Sequence, residues 1–223
     1  MDVVDALRAR TSVRAFLPTE VAEQTVREIL SEARHAPSGG NLQPWKVHVV
    51  MGAARTRLID VVAQSLAARP QDDESELHVY PDKLWEPYRT RRFTLGEAMY
   101  EKLGIPRADK LARLGHFARN YRLFDAPVGL FFSLDRRFDH PQWAHLGMFM
   151  QSIALVAVAR DLGTCMQEAW QARAKTVSAF LGLAPEQQLY CGMALGHPDL
   201  RAPVNTVRSE RAPIDDFTTF LDA

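Results

Sequence analysis

The chain has 223 residues, with 27 Lys+Arg offset by 27 Asp+Glu and 47% hydrophobic residues. A balanced chain sets up no strong field for polyanions or anionic lipid, which argues against nucleic-acid or membrane partners held by a broad basic face. At this length and composition one core can bury most of its apolar surface, so residues 1–223 are expected to form a single domain.

Met1-Asp2-Val3-Val4-Asp5 carries acids and no apolar run, so no secretory leader is expected. The most apolar stretch, Leu146 to Ala159, is interrupted by Gln151 and Ser152 and falls short of the ~20 residues that span a bilayer. Cys165 and Cys191 fit no disulfide framework and no CxxC motif. A reduced, cytoplasmic protein is the expectation.

In chain order, the first helix is expected from Asp2 to about Arg10, followed by the segment Arg10-Thr11-Ser12-Val13-Arg14. Ala22, Val26, Ile29, Leu30 and Ala33 recur at helical spacing and predict a second helix from Val21 to His35, stopped by Pro37 and Gly39-Gly40. Lys46 to Met51 reads as a β-branched strand, and Leu58, Val61, Val62, Ser65 and Leu66 mark a further helix. From 69 to 120 the chain is charged and broken by Pro70, Pro81, Pro87 and Pro106, with short helices expected at Tyr88–Leu103 and Lys110–Tyr121. Such a stretch suits an active-site cover or a plain surface insertion. Ala126 to Leu134 predicts a buried strand. A helix apolar nearly all round follows from Pro141 to Leu162, ended by Gly163. A short strand at Thr164–Met166, a helix at Ala172–Leu181 capped by Gly182, and a last core strand at Gln188–Gly196 complete the pattern. Residues 197–223 form a Pro-rich extension with a Phe217/Phe220/Leu221 cluster.

No GxGxxG, P-loop, HExxH or GxSxG motif is present, so Rossmann, Walker, zinc-protease and serine-hydrolase chemistry is unsupported. The seven histidines show no i,i+4 pair, and no metal site is expected. Three segments carry more. Ala36-Pro37-Ser38-Gly39-Gly40-Asn41-Leu42-Gln43-Pro44-Trp45 combines two glycines, which let backbone amides approach a ligand, with the polar handles Ser38, Asn41 and Gln43. It reads equally as an elaborate helix–strand turn. Arg10, Ser12 and Arg14, at alternate positions of an extended segment, point one way and make either a phosphate cradle or a solvated charge cluster. Arg208 and Arg211 lie near the C-terminus.

Together these segments resemble the nitroreductase family of FMN-dependent oxidoreductases over essentially the whole chain. Arg-x-Ser-x-Arg near residue ten and Pro-Ser-x-x-Asn-x-Gln-Pro-Trp after the second helix match its two signatures. Cys165-Met166-Gln167-Glu168-Ala169-Trp170, Gly192–Gly196, Asn205 and Arg211-x-Pro look like the branch containing nitrobenzoate reductases.

The resemblance implies an α+β fold, a central antiparallel sheet flanked by helices, in an intertwined homodimer holding FMN at the subunit interface. It implies that Arg10, Thr11 and Ser12 hold the FMN phosphate with Arg211 and Arg208, and that Arg14 lies by the flavin N1/O2 edge. It assigns Pro37, Ser38, Gly39 and Asn41 to the partner subunit's flavin, and the backbone of Gln167, Glu168 and Ala169 to flavin N5 and O4. Where this chain has Ala169 the family commonly has Gly. The implied activity is ping-pong transfer from NAD(P)H to a nitroaromatic or similar flat, electron-poor acceptor, which needs no Rossmann motif. Arg14, protonated throughout, would act as an electrostatic stabiliser, with no other catalytic side chain required. Tyr88, Arg91, Arg92, Phe117 and Phe124 are the candidates for acceptor contacts in the cover. Relatives with the same cradle and other chemistry (dehalogenation, quinone or enone reduction, flavin breakdown) and a non-catalytic FMN binder remain alternatives. The apolar 141–162 helix and the tail cluster suit a dimer, with Met148, Phe149, Gln151 and Ile153 as its candidate face.

Overall fold

The computed structural model describes residues 1–70 and 73–221. Four strands, β1 (Lys46–Met51), β2 (Val128–Asp135), β3 (Gly163–Gln167) and β4 (Gln187–Gly196), pair antiparallel in the order β1-β2-β4-β3. Seven α-helices are described: α1 (Val3–Ala9), α2 (Glu23–Ala33), α3 (Gly52–Ala68), α4 (Tyr88–Lys102), α5 (Lys110–Ala118), α6 (His140–Val158) and α7 (Ala174–Leu181). The expected α+β class is therefore observed.

Period-two alternation along β2 splits the core between the two faces of the sheet. Val128, Leu130, Phe132 and Leu134 pack with α2 and α6 through Val26, Ile29, Leu146, Phe149 and Ile153. Phe131, on the other face, packs with Leu58 and Val62 of α3 and Val177 of α7. Both faces are covered, so β2 reads as a continuous apolar run.

Helix boundaries follow their caps. Asp2 caps α1 through the Asp5 amide at 2.8 Å, and Asp139 with Gln142 forms a capping box on α6. Gly182 ends α7 in the left-handed conformation (φ 66°), as its position predicts. The α6 helix stops at Val158, four residues before the expected end, and Asp161 takes the left-handed turn (φ 58°). Gly163 already belongs to β3; a Cβ there would meet Val13 Cγ2 at 2.5 Å, so its role is close packing rather than helix termination. The candidate dimer face is also corrected in part. Phe149 (3% exposed) and Ile153 (0%) point into the core, while Met148 (46%) faces outward. Phe217, Phe220 and Leu221 of the tail are all exposed.

The 69–120 stretch is held to the body by a buried carboxylate. Glu74 accepts the Thr176 amide at 2.7 Å and its hydroxyl at 2.8 Å, capping the first turn of α7 from a distant segment, and pairs with Arg69 at 3.0 Å. Further along this stretch, α4 and α5 line a cavity shared with the C-terminal end of β3. No described helix is long and apolar enough to cross a membrane.

Candidate active site

Arg10 ends α1 and leaves the chain extended. Ser12 bridges Thr164 of β3 in parallel, and the Val13 amide donates to Thr164 O at 2.9 Å. On the other side, the Arg14 amide donates to Asn205 Oδ1 at 2.8 Å. The Asn205 amide group in turn donates to Ala15 O at 2.7 Å and Asp199 O at 2.9 Å. Residues 10–15 are thus clamped between the sheet edge and the C-terminal segment, which also carries Arg208 and Arg211.

Burial, and then the charge of Arg211, holds the Arg10 guanidinium below its ordinary value. The Cys165 thiol is pushed up to about 11 by burial, against the pull of Arg14 and Arg10. These mutual effects place Arg10, Arg14, Arg211 and Cys165 in one neighbourhood. Among the described residues, no carboxylate forms an ion pair with Arg10, Arg14, Arg208 or Arg211. Guanidiniums gathered without an ion-paired carboxylate suit an anion.

Arg14, Arg208 and Arg211 line a cavity of about 1470 Å³, larger than the ~300–1,000 Å³ typical for one small ligand, and Arg10 is not among its lining residues. Arg14 and Cys165–Ala169 form one wall, Arg208 and Arg211 another. Tyr88, Arg91 and Arg92 of α4 and Phe117 of α5 face it from the cover. Arg91 reaches Asp216 of the tail at 3.6 Å, and Arg92 stacks on Tyr80 at 4.3 Å from the ring centroid. Phe124 is not among the walls. It is 2% exposed, at a left-handed φ of 51°, inside the core with Leu123 and Trp170. Its expected substrate contact is therefore corrected to a packing role.

The expected Gln167–Ala169 wall after β3 is held by residues that sequence reasoning missed, Asn120, Tyr121 and Tyr190. The buried Gln167 amide group donates to Asn120 O at 2.9 Å and Oδ1 at 3.2 Å, while Tyr121 OH donates to Ala169 O at 3.2 Å. Tyr190 OH donates to Glu168 Oε1 at 3.1 Å, and burial raises the phenol above its usual range. Tyr80 and Trp85 also line the cavity, and neither was singled out from the sequence.

Pro37, Ser38, Gly39 and Asn41 do not join this cluster within one chain. Their loop precedes Lys46, which pairs with Ser133 on the β1 edge of the sheet. The arginine segment lies at Thr164 on the β3 edge, at the level of Leu195 and Val128. The two segments occupy opposite corners, separated by roughly 14 Å across the sheet and roughly 17 Å along it.

A paired-layer α+β chain whose Arg14, Arg208 and Arg211, none in an ion pair among the described residues, line an aromatic cavity has the features that suit a large, flat ligand with an anionic tail. Residues 7–197 match the model of the nitroreductase family, and the chain belongs to that family. It is 37% identical over 217 residues to the nitrobenzene nitroreductase of Ectopseudomonas oleovorans, covering 97% of this chain and 96% of that one. The crystal structure of the FMN and NADPH-dependent nitroreductase NfnB from Sphigopyxis sp. strain HMH superposes with a TM-score of 0.97 at 41% identity, with both chains covered completely. The NADPH complex of NfnB from Mycobacterium smegmatis gives 0.91 at 31% identity, covering 99% of this chain and 100% of that one.

Proposed function

We propose that the protein is an FMN-dependent oxidoreductase that takes reducing equivalents from NAD(P)H and passes them to nitroaromatic or similar electron-poor acceptors. The observation that carries this reading is the group of Arg14, Arg208 and Arg211, which lines an aromatic cavity with no ion-paired carboxylate among the described residues, together with Arg10, whose charge couples to that of Arg211. These residues fit FMN: the guanidiniums suit its phosphate, and the cavity has room for a flavin and a second stacked ring.

Bound FMN would supply the two-electron chemistry between NAD(P)H and the acceptor. Arg10, Thr11 and Ser12, with Arg208 and Arg211, would grip the phosphate. Arg14, a fixed cation beside Cys165, would favour the more negatively charged state of the group it faces and so raise its two-electron potential. The Gln167–Ala169 turn, pinned by Asn120 and Tyr121, would present backbone amides to the ring. Tyr88, Phe117, Arg91 and Arg92 would receive the acceptor.

A second copy of the chain completes the site in this reading. The Pro37–Asn41 loop lies at the far corner of the sheet from the cradle, so one chain cannot close both around one flavin. Met148 and the exposed tail residues Phe217, Phe220 and Leu221 offer apolar surface for the pairing. The test is the visible spectrum of the purified protein under anaerobic conditions. A flavin band bleached by NADPH and restored by nitrobenzene is expected; a protein that stays colourless with excess FMN, or a band that NADPH leaves intact, overturns the proposal.

A further inference from the structure

The Pro37–Trp45 loop is strained and mostly bonded to itself. Gly40, Asn41 and Gln43 all have left-handed φ (58°, 55° and 48°), a conformation that costs non-glycine residues. The Asn41 amide donates to Ser38 O at 2.9 Å, the Gln43 amide to Ser38 Oγ at 3.0 Å, and the Gln43 side chain to Asn41 Oδ1 at 3.1 Å. These bonds shape the loop but do not attach it to the body.

Attachment comes from one face of α6. Trp45 lies flat on Phe149, with ring centroids at 4.6 Å and planes 3° apart. One helical turn earlier, His145 accepts the Gly39 amide on Nε2 at 3.2 Å. Contact there is close: a Cβ on Gly39 would meet His145 Cε1 at 3.2 Å. Because Nε2 accepts, the neutral ring carries its proton on Nδ1, which is buried with no partner among the described residues.

We infer that His145 is a positioning residue for the cofactor: by accepting the Gly39 amide it holds the Pro37–Asn41 loop in the conformation that meets FMN. This inference rests on the reading above that the loop contacts FMN across a dimer. It requires a hydrogen-bond acceptor at this point, not merely a ring of the right size.

FMN titration of apoprotein by flavin fluorescence tests it, with His145→Phe, His145→Gln and Arg10→Ala measured beside the wild type. Phenylalanine fills the ring volume and accepts nothing; glutamine places an amide oxygen near the old Nε2. About tenfold weaker binding is expected for His145→Phe, the size of one lost hydrogen bond, and binding within about threefold of wild type for His145→Gln. If His145→Phe binds like wild type, or both His145 variants are equally weakened, the positioning role is overturned while a weakened Arg10→Ala leaves the FMN reading standing. If Arg10→Ala is also unchanged, it is the FMN reading that fails. Should His145→Phe not fold, His145→Gln decides: near-wild-type affinity supports the acceptor role, and a tenfold loss overturns it.

Discussion

Arg10, at the end of α1, and Arg211, in the C-terminal segment, hold two guanidiniums close enough for one charge to depress the proton affinity of the other, with no described carboxylate paired to either. Like charges are brought together at a cost, and a bound dianion would remove that cost. Arg10→Ala should therefore weaken FMN binding by about ten- to a hundredfold, the equivalent of roughly 1.5–3 kcal/mol for a charge-assisted contact. Equilibrium titration of the apoprotein measures this, and an unchanged Kd would misplace the phosphate.

Arg14 has a different assignment. Its amide is fixed by Asn205, and its side chain helps line the cavity beside Cys165. Arg14→Ala should leave FMN bound but lower its two-electron potential by roughly 30–60 mV, since each ~1.4 kcal/mol of lost stabilisation corresponds to about 30 mV. Equilibration with a reference dye reads the shift; a potential equal to that of the wild type removes the role.

Arg91 pairs with Asp216 only at 3.6 Å across an exposed part of the cavity, so an acidic acceptor can compete for it. Arg91→Ala should raise KM for 4-nitrobenzoate by about tenfold and leave nitrobenzene within about twofold. Equal effects on both substrates would show that Arg91 does not select for charge.

His116 predicts a pH dependence of stability. Burial first, then the charges of Arg119 and Arg14, lowers it from 6.5 to about 4, and its Nε2 is buried without a partner among the described residues. The unfolded chain takes up this proton more readily than the folded one. Stability from this group is therefore complete above about pH 6.5 and declines as the pH falls towards 4, by about 2 kcal/mol at pH 5. His116→Phe keeps the ring contacts with Tyr100 and Phe124 and removes the titration. Denaturant unfolding at pH 7 and pH 5 should show a smaller difference for the variant, and an identical difference would refute the assignment.

Much of the fold was legible because its signals are local. Val26, Ile29 and Ala33 at helical spacing mark α2, and the unbroken apolar run of β2 marks a strand covered on both faces. The arginine segment and the Pro37–Trp45 loop were legible as motifs. What joins distant segments was not. Glu74 capping α7, Asn120 holding Gln167 and His145 holding Gly39 are contacts between residues that periodicity does not relate. Phe124 misled for the same reason: an aromatic beside a charged stretch looks exposed until three left-handed residues, Leu123 to Asp125, turn the chain inward.

The central claim is that one flavin is held by the cradle of one copy and the loop of another, and mixing two disabled variants tests it. Arg10→Ala weakens the cradle, and Gly39→Val, whose side chain would crowd His145, disrupts the loop; both are assayed at an FMN concentration that fills wild-type sites and leaves either variant alone largely empty. Co-expressed in equal amounts, they form mixed dimers in which one of the two sites is intact, so about a quarter of the wild-type FMN sites should return with NADPH-dependent nitro reduction. Activity no higher than the average of the two variants alone would contradict a site shared between copies.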